Sequence, residues 1–138
     1  MYRGHRRAVS CVALDEDGST LVSGSYDGTL RWWTEGRESA RLDAPGGAAV
    51  ASVVLTPDGR RLAAACTDGT VLVKDRDASL RVLRPSQGIA GGLLDMSRDG
   101  RFVVWGSNQE DLLLVWDLEA GTETAWSGDA RFGVVALA

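Results

Sequence analysis

Residues 12–34 read VALDEDGSTLVSGSYDGTLRWWT, and residues 53–75 read VVLTPDGRRLAAACTDGTVLVKD. The two stretches lie 41 residues apart and superpose without a gap. Asp17-Gly18 falls on Asp58-Gly59, Leu21 on Leu62, and Asp27-Gly28-Thr29 on Asp68-Gly69-Thr70. A third copy, LDMSRDGRFVVWGSNQEDLLLVWD (94–117), keeps Asp99-Gly100 in register and takes in one extra residue near Gln109–Asp111 before Trp116-Asp117. A fourth begins at RFGVVALA (131–138). Self-similarity at a fixed period of this length marks a repeat architecture, in which one supersecondary unit recurs.

Each unit reads as strands. Asp-Gly pairs between short apolar and β-branched runs are hairpin signals, because glycine takes positive φ without a Cβ clash. ESARLD (38–43), SLRVLR (79–84) and TETAWS (122–127) add a weaker outer strand to each unit. No window carries a helical period. Four short antiparallel strands per unit make the sheet of a propeller blade. The expectation is an all-β partial propeller: one domain over 1–138, with units at roughly 4–45, 46–87 and 88–127 and a partial unit at 128–138.

Composition narrows the function classes. The chain has 138 residues, 44% hydrophobic and 25% charged, with a formal net charge of −4. That balance suits a globular protein and disfavours a nucleic-acid or anionic-membrane surface. There is no apolar run long enough to span a bilayer, and the start, MYRGHRRAVS, lacks the apolar stretch of a secretory signal. Cys11 and Cys66 lie in strand-like apolar segments and read as small buried hydrophobes, which fits a reducing cytoplasm. Fourteen arginines against one lysine, Lys74, with abundant Ala and Gly, suggest a GC-rich bacterial genome.

Gly4-His5, Ser23-Gly24-Ser25, Asp27-Gly28-Thr29 and Trp33, with the Trp116-Asp117 pair of the third unit, resemble the WD-repeat β-propeller family. The resemblance implies a buried hydrogen-bonded chain of His5, Ser23, Asp27 and Trp33. In it the indole N–H donates to the serine hydroxyl, the hydroxyl to one imidazole nitrogen, and the other imidazole nitrogen to the carboxylate. These four residues are therefore expected to be structural. A Ser-His-Asp set by type is not a hydrolase triad without oxyanion donors or a nucleophile elbow. The second unit departs from the pattern, with Ala64, Lys74 and Gly46 where Ser, Trp and His are expected, leaving Asp68 to cap its own turn. The third has Trp105 at the Ser position and Gln109 at the Asp position, with Asp111 as a substitute.

No other stretch carries chemistry of its own. DEDG (15–18) opens like a calcium loop but lacks the downstream carboxylate, so it reads as a hairpin turn. GIAGG (88–92) lacks the Lys-Ser of a phosphate loop. One histidine and two separated cysteines make no zinc set. No catalytic residue, metal or cofactor is expected. Trp33, Trp116, Trp105 and Trp32 read as core, and Trp126 as a residue of an outer strand.

Binding is expected at the loops. In the family, the propeller end formed by the loops before the inner strand and after the second strand is a common docking face. Here it offers Arg6, Arg7, Tyr26, Thr67, Asn108, Gln109, Glu110 and Arg131. The implied function is a non-catalytic, cytoplasmic scaffold for a peptide or protein partner, a segment of a larger bacterial signalling or assembly protein. The alternatives are a hydrolase-like propeller enzyme with a channel site, where Asp95 is the lone acid of the inner strands, and a purely structural blade module. A closed ring needs at least four blades, so further blades or a second copy are expected to complete it. If blades borrow the outer strand of the preceding repeat, the first blade lacks its outer strand. The last then holds only the strands near 122–127 and 132–137.

Overall fold

The computed structural model describes residues 3–84, 93–106, 112–127 and 131–136. The first sheet holds β1 (Val9–Leu14), β2 (Leu21–Ser25), β3 (Thr29–Thr34) and β4 (Arg37–Asp43). A 3-10 turn, Pro45–Gly47, leads to the second sheet. It holds β5 (Val50–Leu55), β6 (Arg61–Cys66), β7 (Val71–Asp75) and β8 (Leu80–Leu83). The third holds β9 (Leu93–Met96), β10 (Phe102–Gly106), β11 (Leu112–Asp117), β12 (Thr122–Ser127) and β13 (Arg131–Ala136). All pairings are antiparallel between neighbours in chain order. The protein is an all-β, unclosed arc of propeller blades, with inner strand β1 beside β5 and β5 beside β9.

The recurring aspartates build the turns. Asp17, Asp58 and Asp99 each accept the amide of the residue two places on, at 2.8, 3.0 and 3.0 Å. Asp27 and Asp68 do the same for Thr29 and Thr70, both at 2.9 Å. Such side-chain turns hold the reversal while the following glycine takes positive φ. Gly18, Gly59 and Gly100 all do so.

Strand alternation makes the stack. Along β6, Leu62, Ala64 and Cys66 enter the core shared with the first sheet. Ala63 and Ala65 enter the core shared with the third, beside Val71, Val73, Trp105 and Trp116. Successive side chains point to opposite faces, so a strand covered on both sides must be apolar throughout. That is why β6 is apolar from Leu62 to Cys66. The first sheet shows the converse. Val12 is 62% exposed, whereas Val53 and Leu94, its counterparts in the next two units, are 7% and 8% exposed against the sheet before them.

Two expectations about strand supply are overturned. The first blade does not lack its outer strand: β4 follows β3 directly and pairs with it from Thr29↔Asp43 to Thr34↔Arg37. Each sheet takes its strands in sequence order, and in the first the Glu35-Gly36 turn, with positive φ at both residues, returns the chain antiparallel at once. Nor does the last segment open a separate blade. β13 pairs with β12, Thr122↔Ala136 through Trp126↔Arg131, as the fifth strand at the outer edge of the third sheet. There it satisfies a row of backbone groups that an edge would leave unpaired.

Candidate functional site

The segment before β1 crosses the outward face of the first sheet and is pinned there by His5. Ser23 on β2 and Trp33 on β3 reach this face, and the Trp33 indole N–H donates to Ser23 Oγ at 2.8 Å. Ser23 Oγ lies 2.7 Å from His5 Nε2. His5 Nδ1 lies 3.2 Å from Asp27 Oδ2 and 3.1 Å from Thr29 Oγ1. One proton arrangement satisfies every member. The Ser23 hydroxyl, already accepting from the indole, donates to Nε2, and the Nδ1 proton is shared between Asp27 and Thr29. The Thr29 hydroxyl donates to Asp27 Oδ1 at 2.6 Å.

Asp27 is the hub. Burial opposes its ionisation, but donors from the Thr29 hydroxyl, the Arg6 amide, His5 and the Thr29 amide outweigh that penalty. They hold the carboxyl well below the ordinary carboxylate range. The Arg6 amide bond, 2.9 Å to Asp27 Oδ2, ties the N-terminal loop to the β2–β3 turn. The structure thus brings together His5, Ser23, Asp27 and Trp33. Ser23 is buried and its oxygen accepts the Trp33 indole N–H.

Arg31, which the sequence reading did not single out, is buried beside this chain. Its Nε–H donates to Thr29 Oγ1 at 3.3 Å and its Nη1 to both carboxylate oxygens of Glu38, at 3.2 and 3.3 Å. A guanidinium is expensive to bury unpaired. The signal that could have found it is the strand alternation that places Arg31 on the same face as Thr29 and Trp33.

The other two units use different means. In the second, Ala64 is fully buried and Asp68 serves only its own turn. In the third, the fully buried Trp116 donates to Glu123 Oε2 at 2.8 Å. The equally buried Trp105 has an indole N–H with no partner among the described residues. Gln109 and Asp111 lie outside the described residues, as does GIAGG. Cys11 and Cys66 are free thiols. Burial, with the nearby Asp68 and Cys11, pushes the Cys66 thiol up to about 11. It is therefore protonated at neutral pH and a poor nucleophile.

The candidate docking loops meet in part. Arg6, Arg7, Tyr26 and Thr67 are exposed. Their loops are joined through the backbone: the Tyr26 amide donates to the Ala8 carbonyl at 3.2 Å, Ala44 to Gly28 at 2.8 Å, and Thr67 to Ala49 at 2.9 Å. Asn108, Gln109 and Glu110 lie outside the described residues, and of Arg131 only the strand position is described. Asp95 is an exposed residue of β9 whose carboxylate accepts the Met96 amide at 2.8 Å.

Comparison with known proteins agrees with this architecture. The family model described as WD domain, G-beta repeat, matches residues 1–34 and 36–75. Transcription factor unc-37 of Caenorhabditis elegans is 30% identical over 114 residues, 81% of this chain and 18% of that protein. Small ribosomal subunit protein RACK1y of Oryza sativa subsp. japonica is 39% identical over 79 residues, 56% of this chain and 23% of that protein. Ribosome biogenesis protein BOP1 of Homo sapiens is 38% identical over 74 residues, 53% of this chain and 10% of that protein. The chain spans less than a quarter of the length of these relatives. Among solved structures, the β-propeller domain of Cps50 (Swd1) from Myceliophteria thermophila superposes with a TM-score of 0.73. That match covers 93% of this chain and 51% of that one at 16% identity, a likeness of fold alone. With its repeats matched over more than half its length and its sheets laid out as blades, the chain belongs to the WD-domain, G-beta repeat family.

Proposed function

We propose that this chain is a non-catalytic scaffold that presents the loops at one end of its blades to a protein or peptide partner. One observation carries the reading: the loops bearing Arg6 and Arg7, Tyr26, and Thr67 are joined to one another by backbone hydrogen bonds across two blades. Rigid strands then hold their side chains in a fixed array, which lowers the entropy lost on docking. Exposed Arg and Tyr are the residue types that dominate binding energy at interfaces. The His5 chain is the brace of that array, and its members act through geometry, not as reacting groups.

The exposed leading face of the first sheet supports a second part of the reading. Val12 and Leu14 are 62% and 58% exposed, where the next two units bury the counterparts of Val12 and partly bury those of Leu14 against a preceding blade. A further blade, from a longer chain or a second copy, is the occupant with matching shape. This fits a segment working within a larger signalling or assembly protein of the cytoplasm.

The test is binding by the chain, with partner candidates identified by crosslinking from the source cell and then purified. Combined Arg6→Glu and Arg7→Glu should weaken the complex at least tenfold without changing the melting temperature, and Tyr26→Ala should act alike. An unchanged affinity in both variants overturns the loop assignment. Turnover of simple esters or sugars that disappears in Asp95→Asn overturns the non-catalytic reading.

A further inference from the structure

At the opposite end of the blades from these loops, a cleft of about 440 Å³ opens between the first and second sheets. It is flanked by the β1–β2, β3–β4 and β5–β6 turns, which strand alternation places away from the β2–β3 and β6–β7 loops. Its origin is one substitution within the repeat. Lys74 pairs with Leu62 across the second sheet as Trp33 pairs with Leu21 in the first and Trp116 with Val103 in the third. In the third sheet that tryptophan is fully buried in the core shared with the second. In the second sheet the Lys74 ammonium turns away to the carbonyls of Asp75 and Ala78, and the volume an indole would fill stays open.

The charged side chains of the lining are basic, with the Asp15 carboxylate at the edge beside Gly59, whose carbonyl accepts from Arg76 Nη2 at 3.4 Å. Arg41, Arg60 and Arg76 are its outstanding charges, with the Lys74 ammonium turned to carbonyls at its rim and no carboxylate among the described lining residues. Asp43, beside the cleft, pairs with Arg41 at 2.9 Å. Arg60 is exposed; its hydrogen bond to Asp58 runs through the backbone amide, and its guanidinium acts on that carboxylate only through space. Trp32 and Leu62 give the cleft an apolar wall. Cations spaced around a small cleft beside an indole suit a doubly charged anionic group carried on a flat ring. Guanidinium groups bind phosphate oxygens through paired N–H donors, and an aromatic wall stacks on a flat ring. The volume is that of a small-molecule site.

We propose that this inter-blade cleft is a binding site for a phosphate ester carried on a planar ring, the phosphate held by Arg60 and Arg76 and the ring against Trp32. It needs only the first two blades, so it does not depend on how the ring is completed or on the docking loops.

The test is titration of the chain with phosphotyrosine amide, a nucleoside monophosphate and inorganic phosphate, read by calorimetry and by the Trp32 indole resonance. At least one ring-bearing ester should saturate the site at least tenfold more tightly than inorganic phosphate, and which ester does so identifies the source. Lys74→Trp should abolish binding while leaving the melting temperature equal or higher. Arg60→Ala, an exposed change that leaves the fold intact, should weaken binding at least fivefold. Equal affinity for inorganic phosphate, no saturation by either ester, or binding unchanged in both Lys74→Trp and Arg60→Ala overturns the proposal.

Discussion

Glu123 stands directly across the ladder from Trp116 and accepts its indole N–H at 2.8 Å, both residues buried. The third blade thereby finds on its outer strand the acceptor that the first blade finds in Ser23 on its second strand. A buried N–H left without an acceptor carries a penalty of about 1–3 kcal/mol. Glu123→Leu should therefore destabilise the chain by about that amount, and Glu123→Gln, which keeps a carbonyl acceptor, by clearly less. Urea unfolding of the two variants side by side measures the difference.

Trp105 offers the opposite case. Its indole N–H is buried without a partner among the described residues, so Trp105→Phe removes a polar group that contributes nothing. The smaller ring leaves some void, which offsets part of the gain. The expected outcome is a change within about 1 kcal/mol of zero, whereas Trp116→Phe, which removes the indole donor to the buried Glu123 carboxylate, costs more. Equal losses for the two substitutions would show that the Trp105 N–H has a partner.

Ser23 joins the indole of Trp33 to the imidazole of His5, so Ser23→Ala leaves two buried groups short of a partner at once. A loss of about 2–4 kcal/mol is expected from that pair of penalties, together with faster hydrogen exchange at the Arg6 amide as the N-terminal loop loosens. His5→Ala should loosen the same amide. If exchange at Arg6 is unchanged in both, the loop is held by other contacts.

The Arg101–Asp117 pair sets an acid limit. Hydrogen bonding from Arg101 first, then from the backbone amide of Ala120, lowers the Asp117 carboxyl to about 2. Because the folded value lies below the unfolded one of about 4, the stabilisation is complete above about pH 4. It is lost as pH falls toward 2. Asp117→Asn should flatten the fall in melting temperature across that window and change little near pH 7 beyond a constant offset. An acid slope identical to the parent's would remove Asp117 from the account.

Gly28 is fixed by both backbone and neighbour. Its φ is +83, and a Cβ there would stand 2.9 Å from the Gly47 carbonyl oxygen. Gly28→Ala should destabilise by more than the roughly 1 kcal/mol that a left-handed conformation alone imposes, as thermal unfolding would show. Gly18→Ala, with nothing within 4 Å of its Cβ, should show the conformational penalty alone.

The repeat, the strand plan and the turn positions were legible in the amino-acid order, because each depends on local rules. Asp-Gly pairs set reversals, and β6 reads as apolar from Leu62 to Cys66 because both of its faces are covered there. The association of His5, Ser23, Asp27 and Trp33 was legible only through the family resemblance, since residues 5 and 33 carry no local signal of contact. Arg31 with Glu38 and Trp116 with Glu123 escaped notice for a simple reason. Their meaning lies in which residue stands opposite across a ladder, and charged residues on a strand look alike whether they face solvent or a buried partner.

By itself, then, the sequence determined what recurs: sheets of this period, with turns at these aspartates and a core at these alternating positions, because backbone sterics and side-chain burial act within a few residues. Only the tertiary structure decided where the last strand goes, which tryptophans have acceptors, and that Lys74 opens a basic cleft between two blades. Those outcomes depend on the register and spacing of segments far apart in the chain, where the free energy of a polar group is set by whatever the fold happens to place against it.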